Sequence, residues 1–428
     1  MIRKVAAAVL TAMALAACAP GGTAPAPSAQ DGSTLTIWTT ANGPGKELFT
    51  AYGSEFERSH RGVKVNILYM ADADVKQKVQ AALVAKNLPE IVAWYGGSFL
   101  TPLVEAGALA DLTPHIEADG KWREGMLPHA FDNYTVNGKI YMVPTESPIV
   151  QLFYNKDLFT RAGIARPPAT FDELLEAIGK LKAAGITPVT LDGKDGWPLQ
   201  EWFTYFAMRD GGANLIHDAM AGKVAWTAEP FVQAARRTKQ VIDAGAFQKG
   251  HMGTGYDEAM ANFYGGRAAM VLSGTWITSS LTATENKEIL ARTGVFDFPT
   301  TGGPGTVADV QGGPNGALGV SASAPDKALA WEFVKGATSA ELAGKLAEQA
   351  LLLMPNKVTI DKAKTPDLFD ELVDKLPGYT GYNLFWNEIL PPRHNTEFTN
   401  LQNSMAIGEI TPERMMSDFA AYMKAHPA

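Results

Sequence analysis

At 428 residues the chain exceeds the ~250–300 at which single hydrophobic cores stop growing, so two lobes are expected. Its 45 Asp+Glu against 37 Lys+Arg, a net charge of -8, disfavour nucleic acid and electrostatic docking on a membrane. One cysteine allows no disulfide and no thiolate metal cage, and seven scattered histidines without an H-E-x-x-H offer no zinc site, so neither metal nor cofactor is expected.

At the start, Arg3 and Lys4 precede an apolar run over residues 5–17 that is too short to cross a bilayer and ends Leu15-Ala16-Ala17-Cys18. The placement of the lone cysteine resembles a bacterial lipoprotein signal, which implies export, removal of residues 1–17 and a diacylglycerol on the Cys18 thiol. The plain alternative is an ordinary secretory signal with a chance cysteine. Residues 1–17 carry two basic groups and no acid, so their loss moves the net charge to -10. Residues 19–33 are small, polar or proline and have too little apolar surface to order; with Cys18 they read as a flexible tether, residues 18–33, with a reach of about 20 Å. No later apolar run nears the ~20 residues of a membrane span. The body is therefore expected on the outer face of the cytoplasmic membrane, held by its lipid alone.

Residues 34–38 alternate like a strand, and residues 46–60 place Leu48, Tyr52 and Phe56 on one helical face. Val63, Val65, Ile67 and Tyr69 alternate again, Val75, Val79, Ala82 and Leu83 return to helical spacing, and residues 89–94 read as a third strand. Strand and helix in alternation imply an α/β lobe with a mostly parallel sheet flanked by helices, its ligands at the carboxyl ends of the strands. A second such region opens with a strand over 150–154. Thr170-Phe171-Asp172-Glu173 fits a capping box that starts a helix carrying Leu174, Ile178 and Leu181. Strands over 186–191 and 268–272 and a helix over 229–244 follow. Residues 300–319 are dense in glycine and proline, which suggests a crossing between lobes, and after Ala322 the chain is mainly helical.

Phe153-Tyr154-Asn155-Lys156-Asp157-Leu158-Phe159, following Tyr141-Met142-Val143-Pro144, resembles the first lobe crossing of family 1 extracellular solute-binding proteins, the maltose-binding-protein-like receptors of ABC importers. Leu35-Thr36-Ile37-Trp38, Leu88-Pro89-Glu90-Ile91-Val92 and the run from Ala268 to Trp276 are similar to other segments of that family, in the same order. The resemblance spans residues 34–425. It implies a two-lobe periplasmic-binding-protein-like fold with three hinge crossings, near residues 145, 313 and 355. The N-terminal lobe would take 34–145 and 314–355, and the C-terminal lobe 146–313 and 356–428. It also implies an oligosaccharide held between lobes that close by hinge bending, ABC importer permease subunits as partners, and no catalysis. A monomer is expected.

A pyranose packs its apolar face on an indole while its hydroxyls need donors and acceptors at the rim, so a sugar cleft wants Trp or Tyr beside acids and amides. Trp38 and Trp94 fall at strand ends and Trp276 follows a strand. The resemblance implies that Trp94, Trp276 and Trp386 stack on sugar, and Trp276→Ala and Trp386→Ala are each expected to weaken binding by about 1–3 kcal/mol with little change in folding. Trp122, Trp202, Trp226 and Trp331 read as structural. The loops after the first and third strands add Thr40, Asn42 and Gly97, although the Asp-Lys pair that the maltose receptor has in the first of these loops is missing. Asp192 and Asp195 precede Trp197-Pro198-Leu199, where the family binds hydroxyls, but they also fit a solvated turn. Glu146 either takes the place of the family's hinge glutamate or is an ordinary loop acid.

Two alternatives stand beside the sugar. The same fold could bind a polyamine, since acids with tryptophans also suit cations, or a glycerol phosphate, for which arginine is sparse. A secreted carbohydrate-active enzyme is the other; no phosphate loop and no G-x-S-x-G supports an enzyme.

Overall fold

The computed structural model describes residues 33–40, 43–283 and 286–427. Cys18, the leader, the tether through residue 32, and Asn42 lie outside the described residues.

Nine strands form two sheets: β1 (Thr34–Thr39), β2 (Lys64–Tyr69), β3 (Ile91–Trp94), β4 (Met142–Glu146), β5 (Val150–Asn155), β6 (Thr187–Thr190), β7 (Ala268–Gly274), β8 (Thr293–Phe296) and β9 (Asn315–Val320). The first sheet has the order β2-β1-β3-β9-β4 and the second β8-β5-β7-β6. In the first, β2, β1, β3 and β4 point one way and β9 the other. In the second, only β5 is reversed. Each lobe is thus the expected mostly parallel α/β layer with one strand turned round. The reversal follows from connectivity. The chain leaves β4 at its carboxyl end and enters β5 three residues on. A strand reached by so short a link must run back from the edge where the previous one ended. The carboxyl edges of the two sheets therefore face each other across the crossing segments. There Ile149 bridges Gly312, the Gly313 N–H donates to the Pro148 carbonyl at 3.0 Å, and the Ser147 N–H donates to the Leu353 carbonyl at 2.8 Å.

The first sheet buries Leu35, Ile37, Ile91, Val143, Leu318 and Val320 against Trp331, Phe333 and Val334 of a helix at Lys327–Ala337. Its other face packs Val92, Met142 and Ala317 on Val75 and Val79 of α2 (Asp72–Ala85), whose polar positions face water. Trp331 and Trp122 stand edge to face at 5.7 Å, which places both in this core as expected. In the second lobe α3 (Phe171–Ala183) turns Leu174, Ile178 and Leu181 inward at the predicted spacing. Thr170 accepts the Glu173 N–H at 3.3 Å, while the Glu173 carboxylate takes the Ala169 N–H at 2.7 Å, one residue outside the reciprocal box. Trp202 and Trp226 are buried in the same core.

Helices at Gly43–Ser59 and Trp197–Gly211 differ from the sequence-based expectation. The first helix, α1 (Gly43–Ser59), starts three residues before residue 46. Trp197–Gly211 forms a 15-residue helix, α4, that the periodicity missed because every residue from Pro198 to Arg209 is buried. A helix apolar or buried all round has no face to announce it.

Candidate ligand-binding cleft

The first lobe presents the carboxyl edge of its sheet. Trp38, at the end of β1, is half-buried with the Lys78 ammonium 4.5 Å from its ring centroid, and Thr40 is half-buried beside it. Trp94 ends β3 facing inward: it is 2 % exposed and its Nε1–H donates to the Phe99 carbonyl at 2.8 Å. Alternation along the strand explains this, since Val92 and Trp94 share the side covered by α2. Its neighbour Tyr95 packs against the same cluster and donates to the Asp72 carboxylate at the start of α2, which pairs with Lys76 at 2.7 Å.

Glu146 sits at the last position of β4, opposite Asn315 at the first position of β9. Burial pushes its carboxyl up to about 7. A second acid, Glu388, reaches the same place from the other lobe. It lies in the four-residue turn Trp386–Ile389, accepts the Asn133 Nδ2–H at 2.6 Å, and also accepts from Asn315. Ser98 donates to the Asn387 carbonyl at 3.0 Å. The lobes are therefore joined by contacts from 97–98, Asn133 and Asn315 to the 387–388 backbone and the Glu388 side chain.

Gly97 permits this approach. Its φ is +57°, and a Cβ there would stand 2.4 Å from the Glu388 carbonyl oxygen. A larger residue would carry left-handed strain and would crowd both the Glu388 carbonyl and the Asn133 side chain, where the two lobes are in contact. Gly97→Ala is accordingly expected to lower ligand affinity by about tenfold or more, ~1.4 kcal/mol or above, and to lower the melting temperature of the unliganded chain through the backbone strain alone. Titration calorimetry beside a melting curve checks both.

The second lobe offers an aromatic wall. Trp276 follows β7 and folds back over Gly274, where a Cβ would lie 2.0 Å from the indole. Its Nε1–H donates to the Tyr256 hydroxyl at 2.9 Å, and its ring lies 5.9 Å from Trp197 and 5.8 Å from Phe385. Trp197 in turn lies 5.8 Å from Tyr256. Asp192 follows β6. Its Oδ1 accepts the Asp195 N–H at 3.1 Å, and its carboxyl is pushed up to about 7, first by burial and then by the hydrogen bond it shares with the Asp195 carboxyl. Asp195 is exposed.

Trp386 is not on that wall. It is 1 % exposed, with Phe203, Trp226 and Phe398 at ring distances of 5.3, 5.7 and 4.4 Å. The chain is extended at Phe385, so successive side chains part: Phe385 goes to Trp276 and Trp386 into the core. The expected stacking positions Trp94 and Trp386 are thus interior, and Trp276, Asp192, Glu146, Gly97, Trp38 and Thr40 remain at the facing edges. The reading missed Glu388, Asn133 and Asn315, for which the sequence carries no local signal, and Tyr256. Trp197 belongs to the Trp197-Pro198-Leu199 segment but is not among the expected site residues. Among the described residues no group of three or more His, Cys, Asp or Glu could hold a metal ion, and no helix is long and apolar enough to cross a membrane.

A family model described as bacterial extracellular solute-binding protein matches residues 40–343, well over half of the chain. A multiple sugar-binding protein of Streptococcus mutans serotype c is 26% identical over 295 residues, 67% of this chain and 66% of the relative. The diacetylchitobiose binding protein DasA of Streptomyces coelicolor is 27% identical over 332 residues, 76% and 74% of the two chains. The alignments span about half to two thirds of the length of the first curated relatives, 66%, 54% and 58%. A solved structure from work on xylan utilization by the thermophilic bacterium Caldanaerobius polysaccharolyticus superposes with a TM-score of 0.86 at 30% identity, covering 91% of this chain and 100% of that one. Two lobes with facing sheet edges, the order of the motifs and these matches agree: the chain belongs to the bacterial extracellular solute-binding protein family.

Proposed function

We propose that this protein is the substrate-binding component of an ABC sugar importer and holds an oligosaccharide between its lobes. The observation that carries the reading is the cluster of Trp197, Tyr256, Trp276 and Phe385, in the same lobe as Asp192. Indoles give a pyranose its apolar platform, and the carboxyls and amides of Glu146, Asn315 and Asp192 serve its hydroxyls. Trp38, Thr40, Asn42, Gly97 and Asp195 complete the proposed rim, and Trp94 and Trp386 support it from behind. The hinge runs through the crossings near 145, 313 and 355, so that the lobes are 34–145 with 314–355 and 146–313 with 356–428. Ligand contacts from both sides favour the closed form, which the permease subunits read. The protein performs no chemistry on its ligand. It is exported, and Cys18 carries the lipid that keeps it, as a monomer, at the membrane.

The relatives' names support a sugar rather than another solute: multiple sugars and diacetylchitobiose for two curated relatives, and a chitin oligosaccharide for a second solved structure. Calorimetric titration of the purified chain with xylo-, chito- and malto-oligosaccharides, spermidine and glycerol phosphates tests this. Binding confined to one saccharide series is the expected result, and binding of spermidine or a phosphate alone would overturn the sugar. Trp276→Ala is expected to weaken that binding by about 1–3 kcal/mol through lost stacking area, with folding intact because the ring is half-buried. Unchanged affinity would remove Trp276 from the site.

A further inference from the structure

Beneath the aromatic wall lies an acid that has no role in the proposed sugar contacts. Glu201 is one turn of α4 inward of Trp197, and Tyr205 is one turn further, so the three share a face of the helix. Tyr205 donates to the Val150 carbonyl at the first residue of β5, and Trp197 stands among Tyr256 and Trp276. Glu201 is thereby placed between the cleft-side rings and the sheet, within electrostatic reach of Tyr256, Tyr205 and Asp192. It is 2 % exposed, and neither carboxyl oxygen meets a hydrogen-bond partner. The Asp192 Oδ2 is likewise buried without a partner. Among the described residues no lysine or arginine forms an ion pair with Asp192, Asp195 or Glu201; the backbone of Lys194 is used on the Thr254 carbonyl and its side chain is exposed.

A buried carboxyl with two empty acceptors is costly unless something fills them. A neutral hydroxyl supplies one donor. An ammonium supplies three donors and the charge that two neighbouring acids lack, and the adjoining Tyr256 ring adds cation–π attraction. Among the described residues, Glu201 and Asp192 are the acids whose side chains leave buried acceptors unfilled.

We propose that Glu201 and Asp192 form a cation subsite at the floor of the Trp197–Tyr256–Trp276 basin, and that the saccharide seated there is an amino sugar with a free, protonated amine. This rests on the sugar-receptor reading and narrows it. The acids hold the ammonium while the rings cover the apolar face of the same pyranose.

The test titrates the purified chain with three disaccharides of one β-1,4 linkage: the free-amine glucosamine dimer, its N-acetylated counterpart and cellobiose. The amine dimer is expected to bind at least about tenfold more tightly than cellobiose, a difference of ~1.4 kcal/mol. Glu201→Gln, nearly isosteric, should erase that preference by weakening the amine dimer more than cellobiose. Asp192→Asn should reduce it, and provides the same readout should Glu201→Gln fail to fold. Trp276→Ala should weaken whichever dimers bind and leave their ranking intact. Equal or tighter binding of cellobiose or the acetylated dimer by the unaltered protein overturns the amino-sugar subsite while leaving the sugar receptor standing. Spermidine binding without any saccharide overturns both.

Discussion

Trp386→Ala is expected to destabilise the protein by about 3–5 kcal/mol, the range for truncating a fully buried large aromatic. The ring is 1 % exposed and is enclosed by Phe203, Trp226, Phe398 and Phe419, so removing it leaves a cavity between α4 and the C-terminal helices at Pro392–Ala406 and Pro412–Ala425. The same change displaces the turn that carries Glu388, and ligand affinity should fall as a consequence of the loosened turn rather than of lost stacking. Urea unfolding of the unliganded chain separates this from a platform role. A midpoint equal to that of the unaltered protein, with binding lost, would return Trp386 to the cleft wall. Trp276→Ala is the internal contrast, with its effect on binding and little on unfolding.

A fall in stability as pH rises from about 6.5 to 8 is the second expected result, and Glu388 is its main source. Its carboxyl is pushed up to about 8 by burial, against the opposing effects of the Asn133 hydrogen bond and the Lys76 charge. The groups facing it are Asn133 and Asn315, with Tyr95, Tyr134 and Lys76 within electrostatic reach. A carboxyl whose folded-state pKa lies above its ordinary value binds its proton more tightly when folded. Its contribution is complete below the ordinary carboxylate range and is lost as pH climbs through the folded value. Glu146 and Asp192, each pushed up to about 7, act with the same sign, as does Glu201, raised by burial and then by Asp192. His251, pushed down by burial, has the opposite sign, but its effect ends near its ordinary value of 6.5. Acids held low by a basic partner, such as Glu173 through its hydrogen bond from Arg166, act only under acidic conditions. Between about 6.5 and 8 the buried cleft acids therefore set the slope. Melting curves across that interval should move steadily down, and Glu388→Gln, which keeps an acceptor and cannot ionise, should flatten the upper half. A melting temperature that rises instead would contradict a neutral, buried Glu388.

Much of the architecture was legible because it rests on local periodicity. Leu48, Tyr52 and Phe56 recur at helical spacing and form one face of α1, and the alternation of residues 34–38 became β1 with Leu35 and Ile37 inward. The Thr170 cap needed only four consecutive residues. The 15-residue α4 was invisible because its burial is nearly complete, and β8 was missed because Thr293-Gly294-Val295-Phe296 is too short to show a period.

The site divided along a different line. Trp276 and Asp192 were expected at the site because each comes two residues after a strand, and the structure has both at the carboxyl edge of their sheet. Trp94 also ends a strand, yet its parity turns it inward, and Trp386 enters the core through one extended residue. Which side of a chain a tryptophan occupies depends on what covers each face, and that is a property of the packed lobes. Glu388, Asn133 and Asn315 are 73 to 255 residues apart in sequence and meet only because the two lobes are packed together there. The order of strands and helices, the acidic surface and the family resemblance are written in neighbouring residues, so sequence alone determined them. The joining of buried acids to distant amides and the filling of the aromatic basin depend on burial and long-range approach, and only the tertiary structure decided them.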